Sequence, residues 1–413
     1  MADYAMERYR TKYLMLLVGK NPLPNYVVAK LFEGYAKKIV FVHSAGTAKY
    51  ADNIKNLLES GFEDYEHREV DVTNPEDIYS KIKSWLEEKK KSGEIRSTSD
   101  INLNYTGGTK SMSINAYKAL SNVFKNGTIN TSYLDARSLS LLCNDVSTGC
   151  VRDKVPVSIE DIVKLHGLEY KSNPRERIIN CELSSKLYNM SLDPKKFDAF
   201  KQQISNELRK ENDKTKWRPP SELKSKNVDI NGKEHNIDQL RKEFGYNECE
   251  DVCKYLDGVW LEDYVLGLID EIRKGKAGRD LKITDIAGSV NTYIGTGKKN
   301  NMPDFEVDVV VMKGYQLYAI SCTTARERGL CKSKLLEVYV RSHQLGGDEA
   351  RVCLIGYYNN SDDKSFGGPS ERMELEIRND LGGRDDYDDK DIKVILGDKI
   401  ANLRNELYDW LES

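Results

Sequence analysis

No apolar run in this 413-residue chain approaches the roughly 18 residues that a helix needs to cross a bilayer, so no membrane association is expected. Zinc-ligand spacing is missing as well. The eight cysteines, at positions 143, 150, 181, 249, 253, 322, 331 and 353, include no CxxC pair and no histidine partner at ligand spacing. They read as reduced, mostly buried thiols of a cytoplasmic protein. Cys249 and Cys253 stand four apart in ECEDVC, but two thiols without a second pair make a poor metal site. The N-terminus has no small-residue cleavage site, so LMLLV reads as a buried strand and the mature chain is expected to begin at or near Met1. A GxxxxGK[ST] loop, a GxGxxG fingerprint, internal repeats and low-complexity segments are all absent. Net charge is −3, which argues against a basic coat over the whole surface and leaves local patches open.

What is present is a globular composition, 39% hydrophobic and 31% charged, on a chain longer than one hydrophobic core usually supports. Two compact domains with a connecting module are expected. Over residues 1–155, strand runs (KYLMLLVG, KKIVFVHS, INLNYT, TSYLDA) alternate with stretches of helical periodicity, the pattern of an α/β Rossmann-like domain on a parallel sheet. Residues 156–250 lose strand periodicity and form a helical, basic connecting region. Residues 171–226 within it hold 14 Lys/Arg against 8 Asp/Glu, a net +6. Such a run suits a solvated helical linker or a surface that touches a nucleic-acid backbone. Residues 251–413 return to order, with a helix (GVWLEDYVLGLIDEIRKG), strands at LKITDI, FEVDVVVM and YQLYAISCTT, a helix (CKSKLLEVYVRSHQ) and a strand (RVCLIGYY). This α-β-β-β-α-β order is followed by a strand at IKVILG and a terminal amphipathic helix.

The first candidate site is NYTGGTKSM, residues 104–112. Thr106, Gly107 and Gly108 lie between a strand and a helix, and the glycines let backbone approach a ligand. Thr109 and Lys110 open the helix, whose free N–H groups attract anions. A plain strand-to-helix connection would read the same way. Two further strand ends, VGKNPLP (18–24) and HSAGTAKY (43–50), are likewise polar, glycine-containing and basic, and ligands of parallel sheets bind at such ends.

LLVGKNPLPNYV, SAGT, YTGGTKSMS and YLDAR together resemble the CARF domain, the CRISPR-associated Rossmann-fold sensor of cyclic oligoadenylates, over about the first 150 residues. The resemblance implies a homodimer that holds a ring of adenylates, cyclic tetra-adenylate being the expected size, across its twofold axis. By motif, Thr106, Gly107, Gly108, Thr109 and Lys110 would contact ribose and phosphate, with Asn21, Ser44 and Thr47 on the rim.

The second candidate site lies in the C-terminal unit. Asp308 interrupts the apolar strand VDVVV, and a buried carboxylate there needs a metal, an arginine or backbone donors. Glu262 lies on the preceding helix. Helix Glu, strand Asp and a following strand that ends in short polar residues resemble the PD-(D/E)xK nucleases, over about residues 255–358. That likeness implies an α/β restriction-endonuclease-like domain, Mn2+ or Mg2+ at Glu262 and Asp308, and metal-dependent endonuclease cleavage of DNA, with RNA as a second substrate. The chain departs from the pattern at Ser321-Cys322-Thr323, where the family carries Glu-x-Lys. Lys334 and Glu337, three apart on the next helix, are the candidates to replace that pair, Glu337 as a metal ligand; an ordinary surface pair has the same spacing. The expectation is therefore a type III CRISPR ancillary effector, activated by cyclic oligoadenylate bound at a dimeric CARF domain. The alternative is a sensor whose nuclease-like domain is inactive and binds nucleic acid or a partner.

Overall fold

A computed structural model describes residues 7, 9–58, 61–125, 127–144, 146–174, 178–275, 280–294, 305–359, 368–381 and 391–413. Strands β1 (Thr11–Leu17), β2 (Ala36–His43), β3 (Asp64–Glu69), β4 (Ile101–Asn104) and β5 (Asn130–Asp135) alternate with helices α1 (Leu23–Leu31), α2 (Ala48–Leu58), α3 (Pro75–Lys91) and α4 (Lys110–Val123). The five strands are parallel, in the order β3-β2-β1-β4-β5. β1 is apolar along nearly its whole length because both of its faces are covered. Leu14 and Leu16 pack on the side of α1 and α2, and Tyr13, Met15 and Leu17 on the side of α3 and α4. Two further strands, β6 (Ser140–Cys143) and β7 (Val146–Cys150), extend this sheet antiparallel, where the sequence reading placed none.

The segment 156–250 carries helices α5 (Ile159–Leu165), α6 (Cys181–Ser191), α7 (Pro194–Leu208) and α8 (Ile237–Phe244), together with short strands that the sequence pattern did not signal. β8 (Leu168–Tyr170) pairs with the C-terminal sheet, while β9 (Arg209–Lys210) with β10 (Asp213–Trp217) and β11 (Asn227–Ile230) with β12 (Lys233–Asn236) form two small hairpins. Leu187, Phe197, Phe200 and Ile204 of this segment share a core with Trp260 and Ile320, so it is packed on the C-terminal unit. Much of its basic charge is neutralised by carboxylates close at hand. Lys201 and Arg209 both pair with Asp257, Lys226 pairs with Glu207, and Arg218 pairs with Glu211 and Glu222.

The C-terminal unit runs α9 (Trp260–Arg273), β13 (Ile283–Ile294), β14 (Phe305–Lys313), β15 (Gln316–Thr323), α10 (Arg328–Gly346), β16 (Arg351–Gly356), α11 (Pro369–Asp380), β17 (Ile392–Ile395) and α12 (Leu403–Glu412). Its sheet is ordered β17-β16-β15-β14-β13-β8, antiparallel from β8 to β15 and parallel from β15 to β17. The expected α-β-β-β-α-β order is present. A π-turn at Tyr255–Val259 precedes α9. It frees the Asp257 carbonyl to accept from Lys201 Nζ at 2.6 Å and Thr324 Oγ1 at 2.8 Å, which ties the helix to the end of β15. Cys249 and Cys253 are buried, and among the described residues no helix is long and apolar enough to cross a membrane.

One hydrophobic cluster runs from Leu14 and Phe41 of the first sheet to Val310 and Leu317 of the second. At this joint Gly314 (φ 59°) turns the β14–β15 hairpin against Arg152, whose carbonyl would lie 1.9 Å from a β-carbon, and the Val157 amide donates to the Gly314 carbonyl at 3.0 Å. The turn Gly347–Glu349 after α10 also lies here, with Glu349 buried. Burial pushes the Glu349 carboxyl up to about 7, aided by Asp348 and Asp135 and opposed by a backbone hydrogen bond. An unfolded glutamate titrates near 4.3, so the stability present at low pH is lost as the pH rises through about 7. Glu349→Gln is expected to leave thermal stability near wild type at about pH 4.5 and to raise it by on the order of 2 kcal/mol at pH 8. Thermal unfolding at the two pH values checks this, and no gain at pH 8 contradicts it.

Candidate functional site

The first sheet reverses its winding between β1 and β4, and a crevice opens there at the strand carboxyl ends. Its floor is backbone packed on backbone. A β-carbon on Gly19 would lie 3.0 Å from the Gly108 amide, and one on Gly107 would lie 2.4 Å from the Leu17 carbonyl. Gly108 has φ 73°, in the left-handed region that glycine tolerates. Around this floor the Thr109 hydroxyl caps α4 by accepting from the Met112 amide at 3.2 Å, and the Thr106 hydroxyl accepts from the Leu134 amide at 2.7 Å, fastening β4 to β5. Asn21 Oδ1 accepts from the Leu23 amide at 3.1 Å. The Ser44 amide donates to Thr47 Oγ1 at 3.0 Å, closing the turn after β2. Lys110 stands exposed at the start of α4, with no hydrogen bond or ion pair among the described residues. Three hydroxyls therefore shape the crevice from within, while Lys110 is exposed at the start of α4, the helix end that favours an anion.

Two features here escaped the sequence reading. Asn25 on α1 is fully buried; its Nδ2 donates to the Leu17 carbonyl at 3.1 Å, and its Oδ1 lies 2.5 Å from where a Gly107 β-carbon would be and has no hydrogen-bond partner among the described residues. A polar residue inside an apolar helical stretch was its only signal. Tyr105, just after β4, and Tyr133, within β5, stack with centroids 5.3 Å apart and planes 15° apart, and Tyr105 is 36% exposed. Desolvation first, then Asp135, Glu349 and Asp348, raises the Tyr133 hydroxyl, so the C-terminal unit also faces this rim.

In the second sheet Asp308 lies on β14 between two partner strands. Its Oδ2 accepts from Ser321 Oγ at 3.0 Å and from the Cys322 amide at 2.6 Å. Lys334 Nζ, reaching across from α10, is 4.0 Å from the same oxygen. On the other side, β13 pairs Gly288 with Val309 and Val290 with Val307, which brings Ser289 across from Asp308. Ser289 has φ 51°, rare for a residue with a side chain, and its hydroxyl donates to Glu262 Oε2 on α9 at 3.3 Å. Glu262, Asp308 and Lys334 thus gather over one patch of sheet through Ser289 and Ser321. Glu306, two residues before Asp308 on the same strand face, has its carboxyl raised by desolvation first, then by Asp308 and Glu337, against Lys334 and Lys171. Glu337 therefore faces this patch too, but the carboxylate coupled to Asp308 from its own strand is Glu306, which the sequence reading passed over. Cys322 beneath is pushed far up by burial, then by Asp308 and Glu262, which makes it an inert thiol.

Glu262 and Asp308 offer the hard oxygen donors that Mg2+ or Mn2+ takes. Among the described residues, no group of three or more His, Cys, Asp or Glu is gathered closely enough to hold a metal ion. These residues therefore fit only a two-carboxylate site that substrate phosphate and water would complete, and not a protein cage.

The family described as the Card1 CARF domain matches residues 13–144. That segment is thus a CARF domain on a Rossmann-like sheet, and the glycine crevice lies within it. Two solved structures share the fold over nearly the whole chain. Protein VC1899 from Vibrio cholerae is 18% identical at a TM-score of 0.62, covering 99% of this chain and 98% of its own. Can2 from Sulfobacillus thermosulfidooxidans, solved in complex with cyclic tetra-adenylate, is 14% identical at a TM-score of 0.63, covering 98% and 100%. No curated protein matches the sequence.

The packing of the crevice floor has a direct test. Gly107→Ala places a methyl against the Leu17 carbonyl and Asn25 Oδ1, neither of which can withdraw freely. A loss on the order of 2–3 kcal/mol in denaturant unfolding is expected. Wild-type stability would mean that the two turns do not touch as described.

Proposed function

We propose that this chain is a type III CRISPR effector in which cyclic oligoadenylate, bound at the β1/β4 crevice of a homodimer, switches on metal-dependent cleavage of nucleic acid in the C-terminal unit. One observation carries the sensing half: the CARF match covers the segment that builds the glycine floor and that holds Lys110, exposed and without a hydrogen bond or ion pair among the described residues, at the start of α4. The likeness of the whole chain to Can2, a protein solved with cyclic tetra-adenylate, supports that ring as ligand. In this reading Gly107 and Gly108 admit a ribose-phosphate backbone, the α4 N–H groups and Lys110 hold its charge, and the stacked Tyr105 offers a face to a base.

For the cleavage half, Glu262 and Asp308 would hold Mg2+ or Mn2+, which when bound supplies charge stabilisation at the scissile phosphodiester. Lys334, beside Asp308, would steady the phosphate or position the attacking water where the family strand lysine is missing. Ser289 and Ser321 orient the two carboxylates. Glu337 and Glu306 are the remaining carboxylates at the patch, Glu337 as ligand or Glu306 in its place. DNA is the expected substrate, with RNA as the second.

A second reading draws on the satisfied state of Asp308. With the Ser321 hydroxyl and the Cys322 amide on one oxygen and no three-ligand cluster around it among the described residues, the unit suits a sensor-linked nucleic-acid or partner-binding domain without activity.

Incubating the protein with supercoiled plasmid and single-stranded RNA separates the two readings, with and without cyclic tetra-adenylate, and in Mn2+, Mg2+ or chelator. Cleavage that depends on both ligand and metal is expected; binding of the ring without cleavage supports the inactive domain. Lys110→Ala is expected to abolish ring binding in calorimetry with unfolding unchanged. Glu262→Ala and Asp308→Ala should each abolish cleavage at unchanged ring affinity, and Lys334→Ala should slow it about 30- to 1000-fold, or about 2–4 kcal/mol. An exposed pair would change the rate by less than about 1 kcal/mol.

A further inference from the structure

Two separate routes from the first sheet converge on one point of the C-terminal unit, the end of α10, one of them through the connecting segment. The Ser44–Thr47 turn on the crevice rim leads straight into α2, whose Asn53 donates through Nδ2 to the Leu165 carbonyl at 2.9 Å. The next residue, His166, places Nε2 3.0 Å from the Leu345 carbonyl, in the last turn of α10. A carbonyl can only accept, so Nε2 carries the hydrogen. Burial lowers this imidazole to about 4, against the Leu345 carbonyl, which raises it, so the ring is a neutral donor at physiological pH.

The second contact comes from the other rim turn. Asn21 Nδ2 lies 2.5 Å from where a β-carbon on Gly347 would be, and Gly347 has φ 73°. Gly346 beside it is wedged, with Leu317 and Ala350 side chains 2.9 and 3.0 Å from its own β-carbon position. The end of α10 is therefore approached directly by Asn21 of one rim turn, reached from the other through α2, Leu165 and His166, and packed at Gly346 against Leu317 of the sheet. Eleven residues back, about 16 Å along the same helix, Lys334 stands over Asp308.

We propose that α10 carries occupation of the crevice to the Asp308 patch, and that His166 is a coupling residue between them. The inference rests on the sensing and cleavage roles proposed above. A helix is stiff along its axis, so a ligand that shifts either rim turn moves the end of α10 and with it Lys334 relative to Asp308. By linkage the effect is reciprocal, and the coupling is read as the fold-stimulation that ligand produces. His166 touches neither the crevice floor nor the carboxylates.

The test uses the full chain with cyclic tetra-adenylate as probe and combines calorimetry, hydrogen–deuterium exchange across Arg328–Gly346, and plasmid cleavage with Mn2+. In the wild type the bound ring is expected to change amide exchange in α10. His166→Phe keeps a ring of similar size without the donor; it should still bind cyclic tetra-adenylate and keep the ligand-free cleavage rate. The exchange response should vanish and ligand stimulation should fall about 5- to 10-fold. His166→Gln, which retains an N–H donor, should restore most of both, a recovery that a loss of packing would not give. Asn53→Ala, one contact upstream, should weaken the response in the same direction and serves if the Phe variant does not fold. An unchanged exchange response in His166→Phe, or none in the ligand-bound wild type, overturns the proposal. An exchange response without cleavage upholds the coupling and removes the nuclease reading, whereas a protein that does not bind the ring removes both.

Discussion

Asp308 stands between Val307 and Val309, both buried, on a strand in the middle of a six-stranded sheet. A carboxylate in that setting is tolerated only when donors meet it, since leaving it unpartnered costs several kcal/mol. The donors come from β15, as the Ser321 hydroxyl and the Cys322 amide. Much of the C-terminal unit is arranged around that demand. The left-handed residue Ser289 occupies the place across from Asp308 on β13 and turns its hydroxyl to Glu262; the register of β15 presents Ser321; α10 lays Lys334 over the same oxygen. Ser321 and Thr323 bring two short hydroxyl side chains and no charge to the end of β15, which leaves the charge of this patch to be set from α10 and from Glu306.

The crevice of the first sheet answers a different constraint, steric instead of electrostatic. Gly19, Gly107 and Gly108 are small because the β1 and β4 exit turns touch backbone to backbone, and the buried Asn25 closes the contact from α1. The result is a floor made of closely packed backbone, with Lys110 exposed at the start of α4. Among the described residues no carboxylate pairs with Lys110.

The sequence made the long, periodic elements legible. β1 and β2 announce themselves as buried parallel strands, and α9 to β16 fall in the order that their patterns suggest. The β6–β7 extension did not, because strands of four and five residues contain too few positions to display a period. The hairpins within residues 209–236 are hidden for the same reason, and their charges hide how closely Phe197, Phe200 and Ile204 nearby bind this region to the C-terminal core. At the sites, Glu262, Asp308 and the glycines were visible as residue types at element ends. Ser289 and Asn25 were not, since what matters in each is a backbone angle or a contact distant in sequence, and neither leaves a periodic trace.

The hydrophobic cluster that runs through both sheets sets a limit on how such a protein can change over evolutionary time. Linker-joined domains can be recombined freely because their surfaces were already finished for solvent. Here Gly314 fits the Arg152 carbonyl and Val157 to within a single atom's clearance, and each half leaves apolar surface that only the other covers. A lineage that exchanged one half for a homologous domain would inherit a mismatched seam as well as a new site. The two halves are therefore expected to have diverged as one unit, with substitutions at the seam compensated in pairs.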